Sequence, residues 1–293
     1  MQVTPRVSQA VRVDGFGATC GQCDLDGEGR PQHEGELWPQ LEAVGRHLRR
    51  RLEQAGSSAA HVRRLDAFYV PPADEHELAA ALRELLGGDP DVLLVPIPHF
   101  YYPGMRIELD AIFDDSARLV FRSGDGDDLD SALSALELRP DSLLALRVYY
   151  AGNSPPAVDG YGAATRVPLP ALPSPVRVAA IAAEKPPPDL VFVAGRLPVD
   201  DHGLVLHTGD VEAQTALVMK RLAVALERSH ASIADLVKVN VHYVGGPTPE
   251  DLHRNLDVRS RFYAPPGPAS TGVPVPRLHP PGASIVVEAI AAR

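Results

Sequence analysis

Leu190-Val191-Phe192-Val193-Ala194-Gly195 opens the stretch that decides the fold, which runs on through Asp210-Val211-Glu212 to Tyr243-Val244. The first six residues form a short apolar run, as a buried strand requires. Asp210 then offers a helix cap, with Glu212 in the first turn, where the helix dipole favours a negative charge. Val211, Leu217, Met219, Leu222 and Leu226 recur mostly three or four apart, so one face of that helix is apolar. Over residues 236–244 the period becomes two. Val237, Val239, Val241 and Tyr243 share one side, and Lys238, Asn240 and His242 share the other. The pattern predicts a half-buried antiparallel strand.

The same stretch occurs twice. At a constant offset of 174 positions, Ala194-Gly195-Arg196 falls on Cys20-Gly21-Gln22, Leu226-Glu227 on Leu52-Glu53, Ser232 on Ser58 and Tyr243-Val244 on Tyr69-Val70. No gap is needed, and self-similarity of this kind marks a module used more than once. The first half accordingly reads as strands over 6–14 and 16–20. A helix follows, carrying Leu37, Leu41, Val44, Leu48 and Leu52 and ending at Gly56, and then a strand over 65–70. A second helix over 74–86, closed by Gly87-Gly88, leads to strands over 92–97 and 105–113. In the second half Thr248 is placed to cap a helix, and strands over 273–276 and 284–290 close the chain. Between the halves, residues 116–175 are surplus to the repeat and read as a connecting insertion. Residues 117–121 and 143–150 have strand character there, and Asp125-Gly126-Asp127-Asp128 reads as an acidic turn capping a short helix over 130–136. Residues 152–175 read as an ordered, extended loop.

Composition narrows the function. A chain of 293 residues is long enough for two domains, and its apolar and charged fractions are those of a soluble globular protein. A formal charge of -10 argues against a nucleic-acid partner, which demands a basic surface. Arg46 and Arg49-Arg50-Arg51 lie on the polar side of a predicted helix and read as a solvated face. No apolar run reaches membrane-spanning length and the first residues lack a signal pattern, so no membrane partner and a cytoplasmic location are expected. Cys20-Gly21-Gln22-Cys23 lacks the further ligands of a zinc site, and it closes a strand where a redox pair would open a helix. Its thiols read as structural or pocket-lining. Glu108 and Asp110 share a strand face. A carboxyl there is either an acid or base of raised pKa or part of a solvated sheet surface.

Several segments together resemble the Rid family (YjgF/YER057c/UK114-like proteins, imine and enamine deaminases). They are Val193-Ala194-Gly195-Arg196-Leu197-Pro198-Val199, Asp210-Val211-Glu212-Ala213-Gln214-Thr215 and Val287-Glu288-Ala289-Ile290-Ala291, with Thr19-Cys20-Gly21-Gln22 and Ile107-Glu108-Leu109-Asp110-Ala111-Ile112 in the first half. The resemblance implies an α+β fold of two chorismate-mutase-like modules, a divergent one over 1–115 and a closer one over 176–293, each a mainly antiparallel sheet with two helices on one face. It also implies a homo-oligomer, a trimer around a sheet-lined barrel with clefts between neighbours, acting on a small-molecule substrate without cofactor or metal.

Family members carry an arginine that grips a substrate carboxylate, in an Arg-Ser-Cys-Val-type segment. The matching residues here are Ala269-Ser270-Thr271-Gly272-Val273, and Leu93-Leu94-Val95 in the first half, neither with an arginine. The family's strand-two serine is replaced by Cys20 and Ala194. Its water-handling glutamate is matched by Glu108, whose second-half counterpart is Val286. The resemblance thus implies Glu108 as general acid/base and Cys20 as a pocket-lining residue. Arg106, Arg196 and Arg277 are then the candidates for holding an anionic substrate, and His99, Tyr101 and Tyr102 for lining the cleft. The expected function is hydrolytic deamination of, or proton transfer to, a small anionic imine or enamine. A more distant likeness to chorismatase-type proteins suggests as an alternative the release of pyruvate from an enol ether. A third reading is a non-catalytic ligand-binding protein, which the missing arginines favour.

Overall fold

The computed structural model describes residues 6–293. The first sheet is built from β1 (Ala10–Val13), β2 (Phe16–Thr19), β3 (Val62–Tyr69), β4 (Asp91–Pro96) and β5 (Ile107–Asp114), in the order β1-β2-β5-β3-β4. Helices α1 (Leu37–Gln54) and α2 (Glu75–Leu86) bury Leu41, Leu48, Leu78 and Leu82 against Leu109, Ala111 and Phe113 of its outer face. Asp74 caps α2 by accepting from the Glu77 amide at 3.0 Å, and Gly87, at φ 66°, ends it in the left-handed conformation that glycine adopts at little cost.

The 174-residue repeat survives in three dimensions. Helices α4 (Val211–Arg228) and α5 (Pro249–Ser260) start and stop 174 positions after α1 and α2. They cover a sheet of β10 (Leu190–Arg196), β11 (Leu236–Val244), β12 (Ala269–Val275) and β13 (Ile285–Ala292), ordered β10-β13-β11-β12. Asp210 caps α4 as expected, through the Ala213 amide at 2.9 Å. Thr248 makes no side-chain cap to α5, and Asp251 accepts instead from the Gly246 amide at 3.2 Å.

Residues 116–175, read from the sequence as a connection, contribute to a sheet of their own. It comprises β6 (Val120–Gly126), β7 (Leu143–Tyr150), β8 (Ala163–Pro168) and β9 (Val176–Ala182), in the order β6-β9-β7-β8. In all three sheets the middle pair is antiparallel and the last pair parallel: β5-β3-β4, β9-β7-β8 and β13-β11-β12. A register shift precedes Arg64, Ala145 and Lys238, which face Ile112, Ile181 and Ile290 respectively. Two expectations for this segment are corrected. Asp125-Gly126 belongs to β6 rather than to a turn, because Arg177 holds the Asp125 carboxylate at 2.7 Å. The extended loop over 152–175 contains β8, paired in parallel with β7. This sheet is covered by one short helix, α3 (Leu129–Ser134).

The three sheets form a ring. The parallel outer strand of each abuts the first long strand of the next: β4 against β6, β8 against β10 and β12 against β2. Helices lie outside. The inward faces meet in two apolar layers, one around Phe16, Ile112, Phe121, Ile181 and Ile290, the other around Phe68, Tyr149, Val167, Val273 and Val286. A belt of charge lies between them. Lys238, Asn240 and His242, which the alternating pattern assigned to the exposed side of a half-buried strand, are 1%, 7% and 1% exposed because that side faces the ring's interior. The same holds for Glu108 and Asp110.

Buried charges demand partners. Lys238 Nζ donates to Asp110 at 2.8 Å, to Thr271 Oγ1 at 2.6 Å and to the Thr19 carbonyl at 2.8 Å, joining the third sheet to the first. Arg147 of the second sheet reaches Asp66 at 2.8 Å and Glu288 at 2.7 Å. Arg64 joins Asp91 at 2.6 Å to the carbonyls of Arg122 and Ala180. Beside this belt a small cavity of about 40 Å3 is lined by Asp66, Arg147, Asn240 and Glu288. Lys238→Met strands the buried Asp110 and is expected to cost about 3–5 kcal/mol in urea unfolding, whereas the double change with Asp110→Leu recovers most of the loss.

Candidate functional site

Glu108 projects from β5 onto the inner face, close to where β12 and β2 meet. Its carboxylate rests on Gly21: a Cβ at that position would overlap Glu108 Oε1, so glycine is required there for steric room. Tyr101 donates its hydroxyl to Glu108 Oε2 at 3.0 Å, and the Cys23 thiol meets the same hydroxyl at 3.2 Å. Burial raises the Glu108 pKa to about 7. The Tyr101 hydrogen bond opposes that rise, Asp110 adds to it, and Lys238 again lowers it. A carboxyl at that value is present in both protonation states near neutral pH, as a general acid/base must be. Burial likewise lifts Cys20 to about 11 and Cys23 well above its usual range, so both thiols are protonated and unreactive as nucleophiles. Both cysteines are free.

The segment carrying Tyr101 spans the seam. Tyr101 and Tyr102 stack edge to face at 5.2 Å, and the Tyr102 hydroxyl meets His253 Nε2 of α5 at 3.5 Å. His99 is turned to the Phe100 carbonyl at 3.2 Å, in the same segment.

The three arginines singled out in the sequence go elsewhere. Arg106 donates to the carbonyls of Gly35, Val70 and Pro72 and ties loops together. Arg277 donates to the Gly152 carbonyl at 2.9 Å. Arg196 lies against α4 beside Arg221 and Arg228.

The site has a cation that sequence reasoning missed. Arg259 of α5 is 1% exposed and has only neutral partners: Asn255 Oδ1 at 2.8 and 3.0 Å and Ser270 Oγ at 2.8 Å. Its guanidinium thus arrives at the β12 segment where the resemblance places the family's arginine. Gly272 leaves space beside it; a Cβ there would meet Leu252, Tyr243 and Arg259. The Tyr243 hydroxyl is buried without a hydrogen-bond partner among the described residues. Its pKa is raised, first by burial and then by Glu108, while Arg259 lowers it, so this hydroxyl is within electrostatic reach of both. Arg259 sits on a polar helix face and reads as a surface charge. The one signal available was its spacing from Asn255, four residues earlier, which forms a helical hydrogen-bonded pair.

A ring of α+β units with a buried carboxyl of raised pKa at a seam between them defines a class of protein, and comparison with known sequences identifies its family. The family model described as Endoribonuclease L-PSP matches residues 178–293. A RutC family protein of Pyrococcus abyssi is 34% identical over 103 residues, covering 35% of this chain and 78% of the relative. A RutC family protein of Pyrococcus horikoshii is 30% identical over the same length, with 35% and 79% covered. Among solved structures, a putative endoribonuclease of Thermotoga maritima shares 32% identity over 36% of this chain and 80% of its own, with a TM-score of 0.32. The chain belongs to the RutC family, the YjgF/YER057c/UK114 or Rid proteins.

The shifted Glu108 pKa has a consequence for stability. In the unfolded chain the group titrates near 4.5, in the folded one near 7. The folded state therefore favours the protonated form. The corresponding stability is complete below pH 4.5 and is lost as pH rises through 7. Between pH 4 and pH 8, Glu108→Gln is expected to gain stability relative to wild type by up to about 3 kcal/mol, read from urea midpoints.

Proposed function

We propose that this chain is a cofactor-independent enzyme of the Rid type that hydrolyses a small anionic imine or enamine at the seam between its first and third sheets. The observation that carries this reading is the pairing of a half-protonated buried carboxyl, Glu108, with a buried guanidinium that has no carboxylate partner among the described residues, Arg259, around the unpartnered hydroxyl of Tyr243. Each sheet is taken as one Rid-like unit, so a single chain supplies the ring that three subunits would otherwise form. The seam site then occurs once per chain, because the positions equivalent to Glu108 are Arg177 in β9 and Val286 in β13.

The chemistry follows from the charges. Arg259 holds the substrate carboxylate through its unused N–H groups, bidentate as a guanidinium permits. Protonated Glu108 delivers a proton to the imine nitrogen, or to the enamine carbon to generate the imine. The resulting carboxylate, steadied by the Tyr101 hydroxyl, takes a proton from water as that water adds to the C=N carbon. Ammonia then leaves from the carbinolamine and the carbonyl product remains. Because Glu108 and Arg259 are both buried, substrate entry requires the 98–104 segment, tied across the seam by Tyr102 and His253, to swing away.

Ammonia release from 2-iminopropionate tests the reading. Glu108→Gln is expected to lower kcat by at least about 100-fold, and equal rates would end Glu108's role. Arg259→Gln is expected to raise KM for imino acids about tenfold or more while leaving an uncharged imine unaffected. Pyruvate release from an enol ether without imine turnover would move the chemistry to the lyase class. Ligand-induced thermal stabilisation without any turnover would make the seam a binding site alone.

A further inference from the structure

On the outer side of the third sheet, α4 and the end of β10 border an open groove of about 760 Å3 lined by Arg196, Asp201, Lys220, Arg221, Val224 and Arg228. Four cations face one carboxylate, in a chain whose formal charge is -10. Elsewhere Arg12, Arg118, Arg177 and Lys238 each meet a carboxylate, but among the described residues none of these four does. The Nε of Arg196 is buried and unpartnered. Burial, with Arg228 and Arg221 close by, pulls the Arg196 pKa down, the signature of cations gathered without compensation. The dipole of α4 accounts for Arg228, which stands in its last turn; it does not account for Lys220 and Arg221 two turns earlier or for Arg196 on a strand.

The first unit differs from the third at several positions of this groove. The repeat sets Gln22 at the position of Arg196, His47 at Arg221 and Gln54 at Arg228, while Arg46 stands at the position of Lys220 and Arg50 at that of Val224. Gln22 is buried and donates to the Cys20 carbonyl at 3.0 Å, and His47 meets the Cys23 carbonyl at 3.0 Å. Gln22 and His47 are satisfied internally, whereas Arg196 and Arg221 at the same positions are cations that meet no carboxylate among the described residues.

We propose that this groove binds a small phosphorylated ligand, a phosphate ester or a diphosphate, gripped by Arg196, Lys220, Arg221 and Arg228. A single carboxylate would neutralise one of the four cations; a phosphoryl group carries close to two negative charges and three acceptor oxygens. Arg221 and Arg228 are seven residues apart on one helix face, about 10 Å along the axis, and their long side chains can converge on two linked phosphoryl groups. Arg196 closes on them from β10, and Val224, 54% exposed on the groove wall, offers apolar contact to the carbon part of the ligand.

The test is calorimetric titration of the full chain with inorganic pyrophosphate, and separately with a short single-stranded oligoribonucleotide. Saturable one-to-one binding of pyrophosphate is expected. Arg196→Gln, which installs the residue of the first unit, should weaken it at least tenfold, as should Arg228→Gln. Arg46→Gln, on the matching helix of the first unit, should leave it unchanged. Absence of saturable binding, equal weakening in the Arg46 variant, or tighter binding of the oligonucleotide than of pyrophosphate overturns the proposal. The readout is binding alone, so the result stands apart from any outcome for Glu108.

Discussion

One ammonium group, that of Lys238, carries the constraint on which the ring depends. It is buried, it belongs to the third sheet, and two of its three acceptors, Asp110 and the Thr19 carbonyl, belong to the first. Sheets of this kind meet edge to edge, and an edge strand carries unpaired polar groups that apolar packing cannot satisfy. A charge shared across the joint fixes the register of one sheet on the next, which a layer of isoleucines alone leaves loosely specified. It also fixes the electrostatics beside it. Burial is the main cause of the raised Glu108 pKa; the Tyr101 hydrogen bond opposes it, and Asp110 raises the value while Lys238 lowers it.

The other two joints are built differently. At the joint of first and second sheets, Arg177 occupies the position equivalent to Glu108 and is spent on Glu75 and Asp125. At the joint of second and third, Val286 stands there and the Gly195 amide is bound by the Thr165 hydroxyl at 2.8 Å. Arg147, meanwhile, is fully engaged by Asp66 and Glu288, and His242 beside it is driven down to a pKa of about 3 by burial and by that arginine. Among the described residues, the joint of third and first sheets is the one that combines a carboxyl of shifted pKa, a guanidinium without a counter-charge and a hydroxyl without a partner. Polar groups left unsatisfied in an otherwise well-paired interior are where a ligand is expected to complete the bonding.

Much of this arrangement could be read from residue order. The helices over 37–54 and 211–228 announce themselves through apolar spacing and an invariant offset, and the division of β5 into an outer apolar and an inner acidic face is plain from alternation. The middle sheet is legible only in part: strand character over 117–121 and 143–150 and a short helix over 130–136 show in the sequence, but β8 reads as an extended loop, because the strands lack their usual helical companions. Its one helix, α3, has six residues, and no helix separates β7 from β8 among the described residues. The polar face of β11 was misassigned for a physical reason: alternation reports that two sides differ, not that the polar one is wet, and inside a ring both sides are buried. Arg259 and Tyr243 escaped because their roles arise from what other segments fail to provide, a property of three-dimensional surroundings that no local pattern encodes.

Closure of the ring within one polypeptide has a consequence for how its parts can differ. Where identical subunits surround an axis, any amino-acid replacement is multiplied by the symmetry, and a charge tolerable once near the axis becomes a repulsive triplet. In a covalently continuous ring each position is edited singly, so lysine, arginine and alanine can stand at equivalent places, as Lys238, Arg64 and Ala145 do, each beside a different neighbour. Heterogeneity of that kind lets the three joints take on different chemical characters within one molecule.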